Sequence, residues 1–163
     1  MYKDSIPYIL HNLKVTSELL HKAEAHCTAR KIEPAVMLSL RLFPDMFDLM
    51  RQVQLVTDFA KGCGARLSGA TNPAFADVEK TFEELQARLA KCIAFLESLN
   101  EADFAGAATR SITLKVAGKE RTMSGHEYFN SYALPHFYFH MTTVYNILRH
   151  NGVELGKGDF ISR

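Results

Sequence analysis

The chain has 163 residues, a formal net charge of +1, 47% hydrophobic and 23% charged residues. That length suits one domain over residues 1–163 with a real core, and the composition is too apolar for a disordered chain. Dispersed basic residues exclude phosphate-driven nucleic-acid binding, no run of about 18 apolar residues provides a membrane span, and MYKDSIPYIL lacks a leader's charge-then-apolar order, so the expectation is a cytoplasmic protein.

Four helical segments and one hairpin can be read in order. The first helix is expected from Asp4 to Cys27, capped by Asp4 or Ser5, with Pro7 tolerated in its first turn. Ile6, Ile9, Leu10, Leu13, Ser17 and Leu20 follow the three-and-four spacing of one buried face. EPAVMLSLRLF then reads as a short helical turn and an apolar connector. Pro44 and Asp45 open the second helix, which ends near Gly62 unless ARLS adds a last turn. Leu49, Val53, Val56, Ala60 and Leu67 are its stripe.

The third helix is expected from Asp77, its cap, to Asn100. Val78, Phe82, Leu85, Leu89, Cys92 and Leu96 form a near-heptad seam, with Glu83, Glu84, Arg88 and Lys91 on the wet side. Ile112, Leu114 and Val116 alternate with Thr113 and Lys115, and Ala117-Gly118 can turn the chain, which is a hairpin signature. SGHE, from Ser124 to Glu127, is a capping box that starts the last helix, and Asn151-Gly152 stops it. Pro135 sits inside, so a kink or break beside His136 is expected. The tail to Arg163 is expected to pack loosely.

Cys27, Cys63 and Cys92 are an odd number with no CxxC spacing, and read as free buried thiols. No phosphate-cradling glycine motif or GxSxG elbow is present.

The chemistry concentrates in ALPHFYFHMTTVYNILRHNG, where His136 and His140 stand one helical turn apart among aromatics. Phe137, Met141, Val144 and Leu148 define the apolar stripe there, and His140 and His136 flank it at roughly 60° and 100° on the same side. Asp45, Asp48 and Gln52 make a polar strip flanking the stripe of the second helix. If the strips face each other, two imidazoles meet carboxylate and amide oxygens, with Tyr132 able to donate to a ligand. Such a set suits zinc, nickel or iron, with His136, His140 and Gln52 as candidate ligands and an open position for substrate. The bland reading stays beside it: HxxxH on an aromatic helix is also what two packed histidines look like, and Asp45 can simply stabilise a helix N-terminus.

The segments RLFPDMFDLMRQVQLVTDFAKG, TFEELQARLAKCIAFL and LPHFYFHMTTVYNILRHNGVELGKGDF resemble a bacterial family of unknown function within the DinB-like superfamily. The resemblance implies an all-α four-helix bundle with a long crossover connection, here with a small hairpin before the last helix, and a homodimer. It also implies a divalent metal on three histidines, one on the second helix and two four apart on the last, serving in some members transferase or isomerase chemistry with small thiols. His136 and His140 match the last pair. No histidine lies between Pro44 and Gly62, so Asp45, Asp48 or Gln52 must substitute or the metal site is lost. The expectation is a small-molecule pocket with metal-assisted transferase or hydrolase-type chemistry; the alternative is a non-catalytic ligand-binding or structural dimer.

Overall fold

The structure is a computed structural model and describes residues 1–116 and 118–161. Helix α1 (Tyr2–Arg30) starts before either expected cap: Met1 holds the cap position, and the buried Ser5 hydroxyl donates to the Met1 carbonyl at 2.7 Å. Ile6, Ile9, Leu13 and Leu20 are buried as the spacing predicts, whereas Leu10 and Ser17 are only partly covered. Pro7 is carried inside the helix. Lys31, in the left-handed region, ends it, and Ile32 N–H closes on the Cys27 carbonyl at 2.9 Å.

After the short α2 (Pro34–Ser39), helix α3 (Leu49–Ser68) begins one turn later than Pro44-Asp45. Residues 43–46 form a turn instead, and Asp48 is the cap, accepting from Arg51 N–H at 2.9 Å. The reason is where the apolar stripe begins. Leu49, Val53, Val56, Ala60 and Leu67 are all buried, while a turn started at Asp45 would add only the partly covered Met46 and the exposed Phe47. ARLS does complete the helix, and Gly69 at φ 82° accepts the left-handed stop that a side chain would resist.

Helix α4 (Phe82–Glu97) also starts later than expected. Thr81 and Glu84 form a reciprocal capping box there. Asp77 is no cap, and Val78 is 69% exposed and outside the seam; Phe82, Leu85, Leu89, Cys92 and Leu96 carry it alone. Arg88, assigned to the wet side, is 3% exposed. Its guanidinium donates to Thr57 Oγ1, the Ala76 carbonyl, Glu79 and Asp58 and pairs with Asp77 at 3.0 Å, so the residues between α3 and α4 fold over it. A buried cation is tolerated when its hydrogen bonds and charge are both answered.

A 3-10 turn (Glu101–Phe104) leads into the antiparallel hairpin β1 (Ser111–Val116) and β2 (Lys119–Ser124). Ile112 pairs with Met123 and both are buried, while Leu114 and Val116 are only half-covered. Ala117 of the expected turn lies outside the described residues; Gly118 has φ 80°. At Gly125 the backbone lies so close to the Ala107 carbonyl that any Cβ would overlap it.

The last helical path is α5 (Gly125–Tyr128), a π-helical turn (Phe129–Ala133) and α6 (Leu134–His150). Ser124 caps it by accepting from Glu127 N–H, while the Glu127 carboxylate turns to Arg121 rather than closing the box. The break expected at Pro135 takes the form of the π turn. Leu134 N–H reaches five residues back to the Phe129 carbonyl, and the wider turn makes room for a ring that has no N–H and crowds the preceding carbonyl. Asn151 and Gly152 (φ 88°) end the helix as expected. Up to Ile161 the tail is not loose: α7 (Lys157–Ile161) returns to α1 through Lys22–Asp159 at 2.6 Å, and Phe160 meets Tyr145 edge-on at 5.6 Å; Ser162 and Arg163 lie outside the described residues.

The four long helices make a bundle in which α3 packs chiefly against α6, α4 against α1 and α3, and α1 closes onto α6. This places the second-helix polar strip beside the histidine turn. No helix among the described residues is long and apolar enough to cross a membrane.

Candidate functional site

Gln52 lies on the first turn of α3, one turn past the Asp48 cap, and is 1% exposed. Its amide Nε2 donates to the Phe47 carbonyl at 3.2 Å. A carbonyl only accepts, so the amide cannot be flipped without setting two oxygens against each other. The Gln52 Oε1 therefore faces α6, and it stands 2.8 Å from His140 Nδ1. An oxygen there requires His140 Nδ1 to carry the proton, which leaves His140 Nε2 as a bare lone pair.

His136 is held the same way by a different group. Its Nδ1 is 2.8 Å from the Tyr132 carbonyl one turn back, so it too is the Nδ1–H tautomer with a free Nε2. Phe59 locks both rings from α3, stacking on His136 at 4.5 Å and on His140 at 5.3 Å between centroids. Tyr132 adds its own ring 4.3 Å from His136. The rings share an open hollow of about 400 Å³ lined by Pro135, His136, Phe139 and His140.

Burial is the main force on the charge state of His140, which is 8% exposed. It disfavours the imidazolium, and the neighbouring His136 and Arg51 charges push the same way, lowering the pKa to about 4. At neutral pH this imidazole is an uncharged hydrogen-bond acceptor.

The strips on α3 and α6 thus meet, but through one residue of the three. Gln52 joins His140. Asp48 spends its oxygens on Arg51 N–H and, at 3.5 Å, on Arg41, and Asp45 stays exposed in the preceding turn. Tyr132 contributes its carbonyl and ring face. Phe59 and Phe139 were not singled out by the sequence, and Pro135 only as the break beside His136; Phe59 lies seven residues past Gln52, a spacing of two turns on one face that could have flagged it. Among the described residues no group of three His, Cys, Asp or Glu side chains is placed to hold a metal ion.

A larger groove of about 780 Å³ runs between α1 and residues 153–156, with the Lys22–Asp159 pair on its lining beside His26, Arg149 and Glu154. The thiols of Cys63 and Cys92 are pushed up to about 12, foremost by burial, and take no part in the histidine site.

Helix order, hairpin and the paired imidazoles define a DinB-like four-helix bundle. The chain belongs to the family described as Domain of unknown function (DUF1993), which its residues 1–161 match. Among solved structures, a DinB family member protein from Shewanella denitrificans is similar at 41% identity and a TM-score of 0.92, over 98% of this chain and 90% of that one. No curated protein matches the chain.

Proposed function

We propose that this chain binds a small molecule in the hollow over His136 and His140, with His140 Nε2 as a neutral hydrogen-bond acceptor. The observation that carries the reading is the matched tautomer: both rings give their Nδ1 proton to a carbonyl-type oxygen and keep Nε2 free beside an open hollow. Ring signals of His136 and His140 that move on addition of a bound compound, and a His140→Ala protein that stays folded but no longer binds, are the expected results. Binding that survives His140→Ala defeats the reading.

The same arrangement supports metal-assisted chemistry as a second reading, because a ligating histidine usually donates its other N–H to an oxygen. The donor set fits only in part. His136 and His140 supply two nitrogens; Gln52 Oε1 is already used on His140, so remaining positions would fall to water or ligand. A divalent zinc, nickel or iron held there would polarise a ligand oxygen, in transferase or hydrolase-type reactions. Stoichiometric metal in protein purified without a histidine tag, lost in His140→Ala, supports this; metal-free protein that binds its ligand unchanged supports the non-catalytic binding role.

A homodimer in the cytoplasm completes the reading. Phe43, Phe47 and Phe139 are exposed apolar side chains, and three free cysteines fit a reducing compartment. Light scattering at tens of micromolar is expected to give twice the chain mass; a monomer there removes the dimer.

A further inference from the structure

We infer that the hollow selects ligands that donate hydrogen bonds, neutral or cationic N–H or O–H groups on an apolar body, and that Gln52 is the positioning residue that sets this preference. The inference rests on the pocket reading above and adds to it a class of ligand and a residue outside the hollow's lining.

The lining has a one-sided character. Pro135 has no N–H, and Phe139 presents hydrocarbon. The two remaining residues are imidazoles, which in water interchange tautomers and so can accept or donate. Here neither can choose. The Tyr132 carbonyl holds the proton of His136 on Nδ1, and the chain Phe47 carbonyl, Gln52 amide, His140 ring does the same for the second. Both Nε2 atoms are left as acceptors, and the four residues lining the hollow have no donor to turn toward it. Arg51, the cation felt by His140, is committed to Gln54 and Asp77. An anion entering the hollow meets lone pairs and ring faces, whereas an N–H or O–H meets two acceptors and aromatic carbon. A single well-made hydrogen bond distinguishes such ligands by about tenfold.

Gln52 differs from the imidazoles in being removable without touching the hollow. Methionine has nearly its length and packs in its place but accepts only weakly, so Gln52→Met frees His140 to move its proton to Nε2. The site then gains a donor and its preference shifts.

The test uses the full chain with nitrogen-15 in its histidine rings and three probes of one size: benzylamine, benzyl alcohol and benzoate. Before any probe is added, the ring spectra should show both His136 and His140 as Nδ1–H tautomers; Nε2–H on His140 overturns the inference. Benzylamine and benzyl alcohol should then shift both rings and bind about tenfold more tightly than benzoate. In Gln52→Met, checked for folding by its thermal midpoint, His140 should show Nε2–H and the ratio of benzylamine to benzoate affinity should fall by about tenfold. A merely structural Gln52 would lower the midpoint and leave that ratio unmoved. Should Gln52→Met not fold, the wild-type tautomers and probe order still decide. Benzoate binding as well as benzylamine in the wild type overturns the inference and spares the pocket. Failure of all three probes to move either ring overturns the pocket reading and this inference together.

Discussion

His140 ties protonation to folding, and the sign can be worked out from its surroundings. Its pKa is lowered to about 4, by burial first and then by His136 and Arg51, while an unfolded histidine titrates near 6.5. Between those values the unfolded chain takes up a proton that the folded chain refuses. Stability is therefore whole above about pH 6.5, falls as pH drops toward 4, and loses nothing further from this residue below that. The loss is of order 2 to 4 kcal/mol. His140→Gln should flatten that part of the profile; urea titrations at several pH values check it, and an unchanged slope counts against the depressed pKa. Asp48 carries an opposite expectation. As the cap of α3 it is worth about 1 kcal/mol, so Asp48→Ala should lower the urea midpoint yet leave the His140 ring signals in place. The histidine pair was legible because a four-residue step and a helical wheel set its direction. The split between Asp45, Asp48 and Gln52 was not, because only the packing of Leu49 and its stripe decides where α3 starts, and a helix begun one turn later leaves Asp45 outside it.

At the level of elements, the largest departure from sequence expectation is Arg88. On a wheel it falls between Cys92 and Lys91, at the edge of the seam, and nothing local says that Asp58, Asp77 and Glu79 will converge on it from a neighbouring helix and a connector. Long-range pairing of this kind has no periodicity to read. It also turned the expected start of α4 into a strap, since Asp77 and Glu79 serve Arg88 and Thr81 takes over the cap. Pro135 was legible as a disturbance but not in form: a kink and a π turn relieve the same crowding, and the sequence does not choose between them. Arg88→Met should leave Asp58 and Glu79 without their main partner, while Asp77 keeps Arg51, and cost about 2 to 4 kcal/mol. It should also release residues 70–80 to limited proteolysis under native conditions. An unchanged midpoint would mean that the half-exposed carboxylates rehydrate freely and the guanidinium only fills space.

For the molecule as a whole, the three thiols report whether the bundle opens as one unit. Cys27 sits in the last turn of α1, Cys63 in α3 and Cys92 in α4, all buried and unpaired. Burial pushes Cys63 and Cys92 up to about 12 and raises Cys27 as well, so the nucleophilic thiolate is scarce even where a reagent arrives. All three should resist iodoacetamide in the folded protein. On α1, the contacts of α7 near Lys22 and of the Ile32 turn on the Cys27 carbonyl tie the end carrying Cys27 to the rest. If those contacts couple it to the core, all three cysteines become reactive along the same urea transition, as expected of a cooperative chain of this size. Mass spectrometry of labelled peptides at each urea concentration resolves them singly. Labelling of Cys27 well before Cys63 and Cys92 would show that the far end of α1 opens on its own, and that the C-terminal helix docks on a surface it does not hold closed.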